Sequence, residues 1–292
     1  MEQFNDEKYR READRYIEDY MGISEIGKLF DTMIKLWKKN NNRNQILKYI
    51  EINKDQLFRI NMSVEQCKQI SYDLYKSIGL ENEYESTIQG KRGIEVNIGT
   101  TKEGQNIWSS GIQKEEDEYL LNVTDHNSIE TAFVISHEFM HAMTMYEEFN
   151  ETKYLPREVC PYIIELILCD YIIENKERYG LNEDILQDLA LIKLTRFLNY
   201  YDKTNRCLRN DYIIALLINT ELENKSKEEK IETLSKLLKL LEKDNIIETL
   251  ESLGLKLNKK EFNQRKNYIE DMFNNFTSLF ETLIKQEKSK TK

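Results

Sequence analysis

Residues 128–145 read Ser-Ile-Glu-Thr-Ala-Phe-Val-Ile-Ser-His-Glu-Phe-Met-His-Ala-Met-Thr-Met, a stretch that contains the pentad His-Glu-x-x-His. Residues four apart in a helix lie one above the other, so His137 and His141 are expected to present their imidazoles on one face. Two imidazoles at this spacing can bind one Zn²⁺, and the carboxylate of Glu138 beside them can take a proton from a metal-bound water. The stretch therefore predicts a zinc-dependent hydrolytic centre.

The sequence around the pentad favours a helix. Asn127-Ser-Ile-Glu130 matches a capping box, which predicts Asn127 as the N-cap with the Glu130 side chain reaching back to it. No glycine or proline occurs from residue 128 to residue 149. The alternative is a chance match on an ordinary amphipathic helix. Two of the chain's 3 histidines flank this glutamate, which favours a metal site over a chance match.

The composition is typical of a helical, water-soluble globular protein. Of the 292 residues, 40% are hydrophobic and 32% are charged. Only 2 prolines and 10 glycines occur, which favours long helices over a turn-rich β fold. The net charge of −10 argues against nucleic acid as the main partner. No apolar run approaches the length of a membrane span, so no membrane partner is expected.

The cysteines and the N-terminus favour a cytoplasmic location. The 4 cysteines show no Cys-x-x-Cys pairing, which predicts reduced thiols. The acidic start, Met-Glu-Gln-Phe-Asn-Asp-Glu, lacks the apolar segment of a signal peptide. We therefore expect a protein of the reducing cytoplasm.

The order of these patterns along the chain predicts one mostly α (α+β) catalytic unit with four parts. The parts are a helical segment at 1–90, a small antiparallel sheet at 91–123, a zinc-binding helix pair at 127–175 and a helical segment at 181–292. The sheet is expected to lie next to the pentad helix, because its last strand ends just before that helix begins.

Local sequence patterns predict two helices within residues 63–89 and three strands after them. The capping box Ser63-Val-Glu-Gln66 opens a helix that ends near Gly79, and residues 81–89 are expected to form the next helix. Alternation of apolar and polar residues predicts strands at 93–99, 106–112 and 118–123. His126, between the last strand and the pentad helix, is expected to be a loop residue rather than a metal ligand.

The helix expected after the pentad begins near Glu158 and is apolar almost all round. It nevertheless carries the acids Glu158, Glu165 and Asp170, and buried carboxylates are costly unless they are paired or bind metal. An antiparallel second helix could return Glu158 to the pentad, which makes it the expected third zinc ligand. Glu165 is the alternative ligand. The preferred role for the Glu165 side chain is to orient a metal ligand or to form a hydrogen bond with another buried polar group.

These segments together resemble the thimet oligopeptidase and oligoendopeptidase F family of gluzincin metallopeptidases. The more specific part of the resemblance is Glu158-Val159 followed by Glu165 and Asp170. Gly90-Lys-Arg-Gly93 and the segment Asp211-Tyr-Ile-Ile-Ala-Leu-Leu are also similar to segments of that family.

The resemblance implies a helical, zincin-like fold and a zinc metalloendopeptidase that hydrolyses short or unfolded peptides. It implies that Zn²⁺ is bound by His137, His141 and Glu158 and that Glu138 is the general base. It also implies that Tyr212 donates a hydrogen bond to the oxyanion of the tetrahedral intermediate. Without the resemblance, a tyrosine on an apolar helix is more often a core residue with a satisfied hydroxyl.

Departures from the family pattern motivate other functions. Within the similar region, residues 60–255, Met140 stands where the family usually has glycine, and no histidine follows His141. The first alternative is a catalytically inactive member that acts as a peptide-binding or interaction module. The others are a helical structural protein with an accidental pentad and a zinc enzyme that hydrolyses a non-peptide amide.

Overall fold

The described part of the protein is mostly helical and contains one small sheet. The computed structural model describes residues 60–90, 93–102, 104–115, 118–144, 159–186 and 225–240, together with isolated positions from 188 to 222 and positions 278 and 285. The helices are α1 (Val64–Ser77), α2 (Glu81–Ile88), α3 (Glu130–Thr144), α4 (Val159–Asn175) and α5 (Lys227–Leu240). The strands are β1 (Ile94–Ile98), β2 (Gly111–Glu115) and β3 (Glu118–Val123). The mostly helical class is confirmed for this part of the chain.

Helices α1 and α2 form where their local signals predict them. The Ser63 side chain accepts a hydrogen bond from the Gln66 backbone N–H, and the Gln66 side chain accepts one from the Ser63 N–H. Gly79 has φ +78°, a left-handed conformation that ends the helix at little cost for glycine. The capping box and the end of α1 are therefore confirmed, and α2 begins at residue 81 as expected.

The sheet is mixed, so the prediction of an antiparallel sheet was wrong. The strand order is β1-β3-β2, with β1 parallel to β3 and β2 antiparallel to β3. Strand β3, the last of the three in sequence, is the central strand of the sheet, and its residues Leu121 and Val123 are fully buried. The chain crosses one end of β3 between β1 and β2 instead of returning along β1.

The second strand begins five residues later than its pattern predicts. The alternation at 106–112 suggested a strand, but β2 spans Gly111–Glu115. Asn106 instead bridges to Thr100 in a tight turn, and the Ile107 N–H donates to the Gly99 carbonyl over 3.0 Å. Ile107 of this segment therefore anchors a crossing loop and does not pair within a strand.

The N-terminus of α3 is capped differently from the prediction. Asn127 has φ +50°, which is not the extended conformation of an N-cap residue, and its carbonyl accepts from the Met62 N–H. The Ser128 hydroxyl accepts from the Glu130 N–H over 3.2 Å instead. A bridge between Asn61 and Ser128 holds the chain in this path, so tertiary pairing overrides the local capping signal.

Helix α3 lies at the centre of the core. It contacts α1, α2, α4 and the sheet. Phe133, Ile135 and Phe139 are fully buried, and the Phe139 ring stacks on Tyr84 of α2 with centroids 4.7 Å apart. Met140 is 1% exposed and belongs to the same core. The pentad therefore sits on a helix whose position is fixed on most sides.

Helix α4 is buried along most of its length, as its apolar sequence predicts. Pro161 lies in its first turn, where the missing N–H has no partner to lose. At its other end, the Tyr179 hydroxyl beyond α4 donates to Asp73 of α1 over 2.8 Å, and Arg178 lies 2.7 Å from the same carboxylate. None of the described helices is both long enough and apolar enough to cross a membrane.

Two hydroxyls of α1 hold the backbone of α3 just before the pentad. The fully buried Tyr75 donates its hydroxyl hydrogen to the Ser136 carbonyl over 2.7 Å. The Ser71 and Ser136 hydroxyls lie 2.9 Å apart and share a hydrogen bond. Ser136 directly precedes His137, so these contacts fix the height and rotation of the pentad relative to α1.

We expect Tyr75→Phe to lower the free energy of unfolding by about 1–2 kcal/mol, because it removes a buried hydrogen bond without changing the packed ring. Urea unfolding measures the change. Tyr84→Phe is the matched control, since Tyr84 is also buried but its hydroxyl is 3.4 Å from the Lys68 carbonyl. Equal losses for the two variants would contradict a special role for the Tyr75 contact.

Burial raises the pKa of the Cys67 and Cys160 thiols to about 12. We expect both to resist alkylation at pH 8.5 in the native protein and to react once urea unfolds it, because only the thiolate is nucleophilic. Peptide mapping by mass spectrometry measures the labelling. The unfolded thiols lose their protons near pH 8.5, so native stability should fall as pH rises from there, by about 1.4 kcal/mol per pH unit for each thiol. Rapid native labelling would contradict the buried placement.

Candidate active site

The two histidines of the pentad face each other at the edge of the core. The Nε2 atoms of His137 and His141 are 3.1 Å apart, and their ring centroids are 4.8 Å apart. The His137 side chain is 14% exposed and His141 is 9% exposed. Helix α3 therefore brings the two imidazoles together through their Nε2 atoms, as the spacing of the pentad predicts for a helix.

This pair of nitrogens fits a zinc site. Zn²⁺ bonded to two imidazoles at about 2.0–2.1 Å in tetrahedral geometry needs the nitrogens about 3.3 Å apart. The observed 3.1 Å is close to that separation and needs no rearrangement of α3. The same distance also suits a hydrogen bond between one protonated and one unprotonated Nε2. Metal analysis of the purified protein separates the two possibilities.

Glu165 of α4 contacts the opposite side of the His137 ring. Its Oε1 lies 2.7 Å from His137 Nδ1, and its side chain is 5% exposed. An Nδ1–H that donates to this carboxylate leaves the Nε2 lone pair available for a metal, which is the usual arrangement around histidine ligands. The carboxylate therefore lies where it can orient His137, and not on the Nε2 side where a metal would bind.

Tyr162 is a site residue that was not predicted from the sequence. It is 2% exposed, and its ring meets the His137 ring edge-on, with centroids 5.4 Å apart and planes at 61°. Tyr162 and Glu165 are one helical turn apart on α4, so one face of this helix contacts both the edge and the Nδ1 atom of His137. The sequence pattern that could have identified Tyr162 is its position three residues before Glu165, which places both residues on one face of the helix.

A cavity of about 310 Å³ opens beside the pentad. Its walls come from the segment before β2, the β3–α3 connection, α3 and α4: Trp108, Ser109, Ser110, Thr124, His126, Glu130, Val134, His137, Glu138 and Tyr162. Glu138 is 9% exposed overall but lines this cavity. The general base predicted from the pentad is therefore placed at the boundary between the core and a space large enough for part of a substrate.

His126 lies in the connection between β3 and α3, and it lines the same cavity. Its backbone N–H donates to the Thr131 hydroxyl over 2.8 Å. Its Nδ1 is 3.6 Å from Glu130 Oε2, a distance that is too long for a hydrogen bond. The sequence predicted a loop residue here, but not its place in the same cavity as His137 and Glu138.

Two predicted site residues, Glu158 and Tyr212, lie outside the described residues. Within the part of the chain that the structure describes, no group of three or more His, Cys, Asp or Glu side chains is arranged to hold a metal ion. The third zinc ligand and the oxyanion donor therefore remain predictions from the sequence.

We expect Glu165→Gln to weaken zinc binding about 10-fold or more, because the neutral amide holds the His137 tautomer and ring less firmly than a carboxylate. Competition with a chromophoric chelator measures the zinc dissociation constant. Glu174→Gln is the matched control, an exposed acid on the same helix. Unchanged zinc affinity in the Glu165 variant would rule out this orienting role.

Comparison of the chain with protein-family models, with curated proteins and with solved structures gave no match. The likeness to the oligopeptidase family therefore depends on the motif residues alone.

Proposed function

We propose that the protein is a zinc-dependent metallopeptidase that hydrolyses short or unfolded peptides. The observation that carries the proposal is the pair of Nε2 atoms 3.1 Å apart, next to Glu138 on the wall of a cavity. A paired imidazole site alone would also suit a structural metal. A carboxylate beside it that faces an open space is typical of a hydrolytic centre.

The proposed metal ligands are His137, His141 and Glu158. The first two fit the ion by the separation of their Nε2 atoms, and Glu158 is proposed from its place one residue before α4 and from the family resemblance. Zn²⁺ bound there would supply Lewis-acid activation of a water molecule and polarisation of the substrate carbonyl. Glu165 would keep His137 in the tautomer that binds metal.

Glu138 is the proposed general base. Its carboxylate would accept a proton from the attacking water and deliver that proton to the leaving amine. Its position suits this task, because a carboxylate at the margin of the core is shielded from bulk water and can still reach a bound substrate. Tyr212 is proposed as the oxyanion donor on the resemblance alone.

One observation favours an alternative, a peptide-binding module without catalytic activity. The two pentad imidazoles can satisfy each other through a hydrogen bond between their Nε2 atoms at 3.1 Å, so the fold does not require the metal. In that case the cavity would bind peptide and the Glu138 carboxylate would be a recognition group. The protein would then cleave no peptide, whether or not it binds zinc.

A peptide-mixture experiment separates these functions. We expect the zinc-loaded wild type to cleave a diverse set of peptides, and Glu138→Gln to keep zinc while its turnover falls at least about 100-fold, because the proton carrier is lost. Mass spectrometry gives the cut sites, and elemental analysis gives the zinc content.

Two further variants serve as controls in the same experiment. His141→Ala should lose both zinc and cleavage, and Glu174→Gln should change neither. Undiminished cleavage by Glu138→Gln would rule out the proposed mechanism. No cleavage by the wild type at one zinc per chain would move the conclusion to a binding module or to a non-peptide substrate.

A further inference from the structure

Trp108 has the most exposed large hydrophobic side chain among the described residues. It is 85% exposed, whereas the other exposed large apolar side chains in this part of the chain, Ile88, Ile173 and Leu186, are 40–42% exposed. Leaving an indole in water forgoes the stabilisation that burial of a large aromatic surface gives. Trp108 therefore contributes little to the folded core, and its exposure calls for another explanation.

The chain immediately before Trp108 is firmly attached to the sheet. Ile107 is 7% exposed, and its N–H donates to the Gly99 carbonyl over 3.0 Å. The turn before it is closed by the bridge between Thr100 and Asn106. The backbone that carries the indole therefore starts from a buried, hydrogen-bonded position.

The chain immediately after Trp108 is attached just as directly. The Ser110 hydroxyl accepts from the Thr124 N–H over 2.9 Å and bonds the Thr124 hydroxyl over 3.1 Å. Gly111 then begins β2 and pairs with Asn122. Only Trp108 and Ser109 lie between these two attachments, so the indole projects from a short and well-anchored segment.

This anchored segment forms one wall of the cavity that contains Glu138. Trp108, Ser109 and Ser110 line it from the sheet side, and His137 and Glu138 line it from α3. A peptide that reached Glu138 through this space would pass the indole. Two rigid walls of different chemistry, one aromatic and one with a general base, would fix both the identity and the position of a bound residue.

We propose that Trp108 is a specificity-determining residue that selects peptides with an aromatic or long aliphatic side chain close to the scissile bond. The inference rests on the proposed peptidase function. An indole offers such a side chain a large apolar face and favourable ring stacking, and covering it removes apolar surface from water on both partners.

The cleavage test uses Trp108→Ala and Trp108→Phe in the zinc-loaded protein. We expect kcat/KM for peptides with a bulky apolar residue to fall about 10- to 100-fold in Trp108→Ala, mainly through KM, and to recover partly in Trp108→Phe. Peptides with only small residues near the cut site should be cleaved as before. Ile88→Ala is the matched control, because Ile88 is another exposed large apolar residue and does not line the cavity.

A binding test gives a readout that needs no turnover. The chain has 2 tryptophans, so Trp37→Phe makes Trp108 the sole indole fluorophore. In a Trp37→Phe, Glu138→Gln protein, an uncleaved peptide with an aromatic residue should shift or quench the emission at saturation. A peptide of small residues at the same concentration should not. Trp108→Phe in the Glu138→Gln background, with Trp37 retained, checks that any signal arises from Trp108.

The two tests fail in distinguishable ways. Cleavage with the same residue preference in wild type and Trp108→Ala would overturn the inference and leave the peptidase function standing, as would a preference for lysine or arginine that Trp108→Ala abolishes. No cleavage of any peptide by zinc-loaded wild type would overturn the proposed function. In that event an emission change with aromatic peptides would still support Trp108 as the recognition surface, and no change would overturn that as well.

Discussion

The contact between His137 Nδ1 and Glu165 Oε1 joins the two most buried helices of the described fold. Both groups are largely removed from water, at 14% and 5% side-chain exposure, and a carboxylate at that depth is costly without a partner. The 2.7 Å contact supplies the partner and at the same time sets the rotation of α4 against α3. A small rotation of either helix would break this hydrogen bond between two largely buried groups, which is a stronger constraint on orientation than apolar packing alone.

A second set of contacts joins α3 to α1. Tyr75 and Ser71 of α1 attach to Ser136, one residue before the first pentad histidine. With Glu165 of α4 bonded to His137 and α1 bonded to Ser136, the pentad segment has two separate attachments through hydrogen bonds. Such preorganisation suits a metal centre, because ligands that are already in place lose little conformational freedom when the ion binds.

The features that local sequence could predict are those decided by short-range chemistry. Three predicted features depend on spacing within one or two helical turns: the pentad helix, the Ser63 capping box and the apolar helix α4. The mixed sheet was mispredicted, because strand order depends on which strand the rest of the fold buries, and Leu121 places β3 in the centre. Asn127 lost its expected capping role for a similar reason, since the pairing of the neighbouring Ser128 with Asn61 took the chain elsewhere.

The residues that line the cavity could not be predicted from the sequence, because they come from segments that are far apart along the chain. Trp108, His126 and Tyr162 have no shared pattern, and they meet only because the crossing loop, the β3–α3 connection and α4 pack around the same end of α3. The positions of the proposed catalytic groups and of the proposed specificity residue nevertheless have a physical reason. In the proposed peptidase, the nitrogens that would bind metal and the carboxylate that would act as the base lie on a buried helix, where packing fixes rotamers. Selection among substrates requires exposed surface, and in this proposal it would fall to an indole that the fold anchors on both sides but leaves uncovered.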